Sequence, residues 1–242
     1  MKLKILLLSF LAVFLLAGSG FAYTIDDYYI GADDHGYGDV IGNTNYFDID
    51  HMNVSIANST MYVDIYTNFN APGPFTSYDL AIEFGDLFIS TDGWNPYGNQ
   101  PYLNDNYSNG EKWDYAFDVS SGNLYNITGA QGNIQFAEDI MPSSGWIYRN
   151  GQEVLIGSDT LTASTAGGTA SYNLGIYQLT IPLGSLGWDI NDLGFHWTMT
   201  CGNDVIEGGA PVPEPATMFL LGSGLIGLAA VGRKKFRKNN NS

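Results

Sequence analysis

The sequence predicts an all-β protein, an antiparallel β-sandwich of the jelly-roll type. Apolar and polar residues alternate in short segments; Met61, Val63 and Ile65 are separated by Tyr62 and Asp64, and the segment 195–199 shows the same period of two. No stretch of the central region sustains the period of about 3.6 residues that is typical of a helix. About ten short segments separated by turn residues indicate a sandwich.

Further strands are predicted at Tyr46–Ile56, Leu80–Phe84, Leu87–Thr91, Trp113–Val119, Leu124–Thr128, Trp146–Arg149, Val154–Ile156 and Tyr172–Leu183. The strongest hairpin signal is Asn150-Gly151, which suits a type I′ turn because both central positions of that turn need positive φ. It predicts pairing of Trp146–Arg149 with Gln152–Ile156. The small, polar segment Ala163–Ala170 is predicted to be a loop or a flexible strand end.

The charge is distributed unevenly along the 242 residues, which contain 9 Lys and Arg against 25 Asp and Glu. Lys2 and Lys4 lie at the N-terminus and five cations lie in 233–238. Residues 23–211 therefore contain only Lys112 and Arg149 against 24 acids, all except Glu214, which gives a formal charge of −22. Nucleic-acid binding is excluded as a function because it needs clustered cations. A hydrophobic content of 45% also argues against disorder.

The N-terminus has the pattern of a secretory signal peptide. Lys2 and Lys4 precede the apolar run Ile5–Ala17, and small residues at Gly20 and Ala22 suit a signal-peptidase site. The mature chain is expected to begin near Tyr23. The alternative, an uncleaved anchor, is less favoured because the run is short for a membrane span.

The C-terminus has three parts in a defined order. Pro213-Glu214-Pro215 is followed by the uncharged segment Ala216–Gly232, which is apolar on every face of a helix, and then by the cationic cluster Arg233–Lys238. About 17 residues are just enough for a transmembrane helix. The cationic cluster would hold the C-terminus in the cytoplasm.

This three-part ending resembles the PEP-CTERM sorting signal of Gram-negative surface proteins, with Pro213, Glu214 and Pro215 as the sorting motif. The resemblance implies a partner, the membrane enzyme exosortase, which removes the helix and passes the protein outward. The chain would then contact the inner membrane only transiently and finish at the cell surface or outside the cell. A plain C-terminal anchor with a chance Pro-Glu-Pro is the alternative.

These signals divide the chain into a signal peptide (1–22), a β-sandwich domain (23–207), a linker (208–211), the sorting signal (212–238) and a polar tail (239–242). Runs such as 29–42, 85–94 and 196–208 resemble segments of other PEP-CTERM surface proteins. The strand pattern also resembles the DOMON and family-9 carbohydrate-binding sandwiches in architecture. That resemblance implies a sugar-binding or haem-binding fold without identifying site residues.

A cluster of acidic residues near the start of the domain is the candidate metal site: Asp33, Asp34, Asp39, Asp48 and Asp50, with Asp26 and Asp27 just before it. Carboxylates that lie close together repel one another, and Ca²⁺ accepts about six to eight oxygen ligands. The neighbouring glycines would let backbone carbonyls turn towards an ion. A solvated acidic loop is the alternative, because the spacing does not match an EF-hand.

Aromatic residues beside amides form the candidate carbohydrate site: Trp94, Tyr97, Tyr102 and Trp113, near Asn95, Asn99 and Gln100. Flat aromatic faces with polar neighbours suit ligands that have one apolar face and hydroxyl edges. Such residues also occur in extracellular β-proteins without a ligand.

Catalysis has little support in the sequence. No Gly-x-Ser-x-Gly, His-Glu-x-x-His or Cys/His arrangement occurs in the mature region. His196 is expected to point away from the apolar face of its strand, and Cys201 is expected to be a small buried residue.

The sequence therefore favours a non-enzymatic, exosortase-processed surface or extracellular-matrix protein with a structural or glycan-associated role in exopolysaccharide or biofilm. Two alternatives remain: a calcium-dependent carbohydrate-binding module and a polysaccharide hydrolase or lyase.

Overall fold

A computed structural model of the protein describes residues 22–32, 36–71, 81–141 and 148–209. The predicted signal peptide up to Phe21 and the predicted sorting signal lie outside these residues. Within them, no helix is both long enough and apolar enough to cross a membrane. The predicted helix Ala216–Gly232 lies outside the described part of the chain.

The described chain folds mainly into β-strands. They are β1 (Ala22–Asp26), β2 (Ile49–Ala57), β3 (Thr60–Thr67), β4 (Leu87–Ser90), β5 (Tyr115–Asp118), β6 (Asn123–Asn126), β7 (Ile134–Phe136), β8 (Glu153–Ile156), β9 (Ala163–Thr165), β10 (Thr169–Asn173), β11 (Ile176–Pro182), β12 (Gly194–Thr198) and β13 (Val205–Gly209). Short helical turns occupy Thr44–Phe47, Gln131–Asn133, Ala137–Ile140, Ser158–Thr160 and Ile190–Asp192.

The strands form two principal antiparallel sheets. One has five strands in the order β1-β2-β3-β11-β10, and the other has six in the order β13-β12-β4-β5-β6-β9. β7 and β8 pair separately. The predicted antiparallel all-β architecture is confirmed.

The main core lies between the two sheets. Met61, Val63 and Ile65 of β3 are completely buried, as their alternation predicts, whereas Tyr62 between them is 43% exposed. Across the core, the ring centroid of Tyr177 in β11 lies 5.7 Å from that of Trp197 in β12. Each fully buried aliphatic or aromatic side chain contributes about 1.5–3 kcal/mol, so this shared layer holds the sheets together.

A second, smaller core covers the outer face of the six-stranded sheet. It comprises Phe88, Trp113, Ala116, Tyr125, Ile127, Ile134 and Ile156. The β7–β8 pair forms part of this layer, so every residue of β12 is buried. His196 does point away from the main core, but it meets the second layer instead of solvent.

Three local predictions are wrong. β8 pairs with β7, and residues 148–149, the described part of the segment predicted to pair with β8, are not in a strand. The polar segment 163–170 contains β9 and the start of β10, which belong to different sheets. β13 runs through Gly209, two residues past the predicted end of the domain, so Gly208 and Gly209 belong to the sheet and not to a linker.

Gly85 lies where three segments of backbone converge. Its N–H donates to the carbonyl of Thr198 at 3.0 Å, and its own carbonyl accepts from Trp197 Nε1 at 3.0 Å. A Cβ at this position would lie 2.3 Å from the Thr198 carbonyl oxygen and 2.8 Å from that of Val154. Only glycine allows this approach of the two layers.

We expect Gly85→Ala to lower the free energy of unfolding by about 1–3 kcal/mol or more, because backbone atoms would have to move apart. The matched control is Gly129→Ala, whose Cβ would meet nothing within 4 Å. It should change stability by less than about 0.5 kcal/mol. Denaturant unfolding measures both variants, and equal midpoints would contradict the described convergence.

Candidate functional site

Three carboxylates from distant parts of the chain form an acidic cluster, comprising Asp27, Asp39 and Asp204. One oxygen of each lies within 4.8 Å of the others, close enough to hold a common metal ion. Asp27 directly follows β1, Asp39 belongs to the loop before β2, and Asp204 directly precedes β13. The sandwich topology therefore assembles this group.

Asp204 is the anchored member of the acidic cluster. Its Oδ2 accepts from the backbone N–H of Ile49 at 2.6 Å, and its Oδ1 accepts from that of Val205 at 2.9 Å. These bonds tie the start of β2 to the start of β13. The loop with Asp39 is held nearby, since the Ile41 N–H donates to the carbonyl of Asn203 at 2.7 Å.

Burial and mutual repulsion oppose ionisation of the acidic cluster. Burial, followed by the charge of Asp204, raises the pKa of Asp27. Burial, followed by the charge of Asp39, raises the pKa of Asp204 well above its usual range. A cation between these carboxylates would stabilise their ionised forms and so oppose both effects.

Arg149 supplies part of the compensating charge. It is fully buried and donates from Nη1 to the carbonyl of Ile30 at 2.7 Å and from Nη2 to that of Gly38 at 2.9 Å. Its Nε donates to the carbonyl of Gly202 at 3.2 Å. Arg149 thus fastens the loop before β2 to the segment before β13, and its charge lowers the pKa of Asp27 and Asp204.

Two buried side-chain oxygens have no hydrogen-bond partner in the described structure. One is Oδ1 of Asp27, a member of the acidic cluster, and the other is Oδ1 of Asn203, the residue before Asp204. Buried oxygens are ordinarily paired, so both atoms offer unused acceptor capacity.

The predicted metal ligands are only partly brought together. Asp39 lies in the cluster, and the charge of Asp48 is close enough to raise the pKa of Asp39. Asp50 does not belong to it, because its side chain is 77% exposed and lies 2.7 Å from His51 Nδ1. Asp33 and Asp34 lie outside the described residues. Sequence reasoning missed Asp204, whose partner Ile49 is 155 residues away.

An aromatic cleft of about 290 Å³ lies beside the acidic cluster. Its walls include Tyr28, Trp94 and Tyr102, and Gln100 also lines it. The ring centroids of Trp94 and Tyr102 are 5.2 Å apart at an interplanar angle of 75°. Two of the four predicted carbohydrate-binding residues therefore share one cavity.

The remaining wall and floor of the aromatic cleft come from β1 and β13. They are formed by Thr24, Ile25, Asp26, Glu207, Gly208 and Gly209. A Cβ on Gly209 would lie 2.9 Å from Cβ of Trp94, so glycine is needed for the indole to pack against this strand.

The other two predicted aromatic residues lie elsewhere. Trp113 is 2% exposed in the second core, and its Nε1 donates to Glu153 Oε1 at 3.2 Å. Its ring has no face free for a sugar, which corrects the prediction for this residue. Tyr97 is 53% exposed but does not line the cleft.

Buried carboxylates fix the loop that carries the cleft aromatics. Glu111 Oε2 accepts from the backbone N–H of Asn95 at 2.6 Å, and Asp105 Oδ1 accepts from that of Tyr97 at 2.9 Å. Trp94 Nε1 donates to Glu207 Oε1 at 2.8 Å, which fixes the indole ring. The cleft is therefore preorganised.

His196 supports the cleft from below. Its Nδ1 lies 2.9 Å from Glu207 Oε2, and its Nε2 lies 2.7 Å from the carbonyl of Glu153. The hydrogen bond with Glu207 raises the pKa of His196 despite burial, which alone would lower it. His196 is fully buried, so it positions Glu207 and cannot reach a ligand in the cleft. Cys201 is buried as predicted.

The fold and these sites define a domain of antiparallel sheets that carries an acidic cluster and an aromatic cleft, and the neighbours of Asp27 in the chain line that cleft. Comparison with curated proteins and with solved structures finds no match. The PEP-CTERM protein-sorting motif matches residues 211–235. This match confirms the predicted sorting signal, and the motif implies export and cell-surface sorting of the protein by an exosortase.

Proposed function

We propose that the mature domain acts at the cell surface or in the extracellular matrix as a calcium-dependent module that binds exopolysaccharide. In this proposal, exosortase removes the C-terminal helix after transient passage through the inner membrane. The aromatic cleft carries the proposal, because it combines preorganised aromatic rings with polar groups in one cavity. Such walls suit the apolar faces and hydroxyl edges of sugars.

The acidic cluster supports the calcium part of the proposal. Ca²⁺ prefers carboxylate and carbonyl oxygens, which Asp27, Asp39, Asp204 and the nearby amide oxygen of Asn203 offer. The three carboxylates lie close enough to share an ion. Bound Ca²⁺ would replace their repulsion by attraction.

The chain itself connects the two sites. Asp27 belongs to the acidic cluster, whereas its neighbours Asp26 and Tyr28 line the aromatic cleft. An ion held by Asp27 would fix the backbone that presents both neighbours. This continuity favours a calcium-dependent carbohydrate-binding module over a purely structural role.

Hydrolysis or lysis of a polysaccharide has weaker support at the cleft. A glycosidase needs two carboxyl groups facing its substrate. Of the two acids that line this cleft, Glu207 uses both oxygens in contacts with Trp94 and His196. Among the described residues that line the cleft, only Asp26 then has a carboxylate available to a ligand, so we propose binding and not catalysis.

Tyr28→Ala should weaken glycan binding by about tenfold, since a truncated aromatic contact costs roughly 1–2 kcal/mol. Tyr28 is 61% exposed, so its truncation should leave the fold intact. A glycan array with purified protein identifies the ligand, and titration calorimetry measures the affinity.

Tyr62→Ala is the matched control for the cleft variant, because Tyr62 is 43% exposed but lies in β3, away from the cleft. Its affinity should equal that of the wild type. Equal loss in both variants, or no glycan binding by the wild type, would contradict the cleft proposal.

Millimolar Ca²⁺ should raise the melting temperature of the wild type. At a free Ca²⁺ concentration 100 times the dissociation constant, binding would add about 2.7 kcal/mol to the free energy of unfolding. Asp27→Asn should abolish this rise. In chelator the same variant should be more stable than the wild type by about 1–3 kcal/mol, because it removes a carboxyl group whose ionisation is opposed by burial and by the charges of Asp204 and Asp39. Thermal melts in Ca²⁺ and in chelator test whether the difference in stability between Asp27→Asn and the wild type changes sign.

The pH dependence in chelator follows from the raised pKa of Asp27. Between about pH 4 and about pH 10, the usual and the raised pKa of Asp27, the folded state binds more protons than the unfolded state, so wild-type stability falls as pH rises. The stability advantage of Asp27→Asn over the wild type should therefore vanish below about pH 4.

Asp50→Asn is the control for the Ca²⁺ melts and should keep the Ca²⁺ response. An unchanged wild-type melting temperature in Ca²⁺ would refute the ion site.

The sorting proposal predicts that extracellular protein from the native host lacks Ala216–Ser242. Replacing Pro213, Glu214 and Pro215 together by alanine should leave most of the chain uncleaved in the inner membrane. Intact-mass measurement and membrane fractionation test both expectations. Mature surface protein that retains Ala216–Ser242 would contradict the processing step.

A further inference from the structure

The charges of the domain restrict which glycan the aromatic cleft can hold. Between the two targeting segments the sequence has only Lys112 and Arg149 as Lys or Arg residues, against 24 acids. Arg149 is fully buried against backbone carbonyls, and Lys112 Nζ donates to the carbonyl of Tyr107. Neither lines the cleft. A uronate or other anionic sugar would meet no Lys or Arg side chain there and would be repelled by the net negative charge of the domain.

The cleft itself suits a cation. Asp26 lines it, and its residue is exposed at the end of β1. No side-chain hydrogen bond or ion pair engages its carboxylate among the described residues. The rings of Tyr28, Trp94 and Tyr102 surround the same space, and aromatic faces attract ammonium groups.

We propose that the cleft selects an amino sugar with a free ammonium group, presented by a cationic, N-deacetylated hexosamine glycan. This inference rests on the proposed function and specifies its ligand class. The sugar's apolar face lies against the aromatic wall, and its ammonium group pairs with the Asp26 carboxylate. The negative domain attracts the cationic polymer from a distance, which makes association dependent on salt.

The test compares three trisaccharides of equal length by titration calorimetry with purified protein in Ca²⁺: the glucosamine trimer, the N-acetylglucosamine trimer and the galacturonate trimer. At low salt and pH 6 we expect the glucosamine trimer to bind at least about tenfold more tightly than the N-acetylated one. The preference should shrink in 0.5 M NaCl, at a Debye length of about 4 Å. The galacturonate trimer should not bind measurably.

Asp26→Asn separates pairing in the cleft from general attraction to an acidic protein. It should remove most of the preference for the glucosamine trimer and leave binding of the N-acetylated trimer unchanged. Asp159→Asn is the matched control, since Asp159 is exposed and lines a different cavity. It should retain the full preference.

The outcomes distinguish this inference from the proposed function. If the N-acetylated trimer binds as tightly as the glucosamine trimer, the charge preference is overturned. If Tyr28→Ala also weakens that binding, the glycan site itself is supported. If Asp26→Asn and Asp159→Asn reduce the preference for the glucosamine trimer equally, pairing with Asp26 in the cleft is also overturned. If neither the trimers nor any arrayed glycan binds, the proposed function itself fails.

Discussion

The structure depends on hydrogen bonds from backbone N–H groups to buried carboxylates. A domain with two cations and 24 acids cannot neutralise its buried carboxylates with Lys and Arg. Asp86 is stabilised by backbone donors instead. Its oxygens accept from the N–H groups of Val119 at 2.9 Å and Ile156 at 2.8 Å, and these bonds join the six-stranded sheet to the β7–β8 layer. Burial raises the pKa of Asp86 to about 7, and the two N–H donors act in the opposite direction. The same kind of bond fixes Asp204 between β2 and β13, and Glu111 and Asp105 in the cleft loop. The acids of this chain are therefore structural groups as well as surface charges.

Much of the fold could be predicted because β-strand alternation is local. Met61, Val63 and Ile65 are buried where the pattern places them. The hairpin at Asn150-Gly151 failed because a turn signal does not determine which strand pairs next; β8 is bound to β7, which lies before the turn by more than ten residues. The polar segment 163–170 looked like a loop because its strands lie at sheet edges and bury few side chains. These errors all concern pairing between strands, which the order of residues along the chain does not determine.

For the candidate site, too, local sequence patterns could be predicted and long-range contacts could not. Asp39 and Trp94 were found because acidic and aromatic residues cluster near them in sequence. Asp204 was missed because it joins the acidic cluster only when β13 lies beside β1. Trp113 was assigned to the surface because composition cannot reveal the second layer that covers it. Residue type thus indicated candidate residues, whereas the topology determines which of them lie together.

The position of β13 has a mechanical consequence. Gly208 and Gly209 form part of the cleft floor, and the sorting motif begins at residue 211, two residues further along the chain. Two residues span at most about 7 Å. The aromatic cleft therefore lies at the last described residues of the chain, and tension applied beyond Gly209 would act first on the hydrogen bonds between β13 and β12. Because Gly208 and Gly209 also line the aromatic cleft, the same tension would distort the cleft.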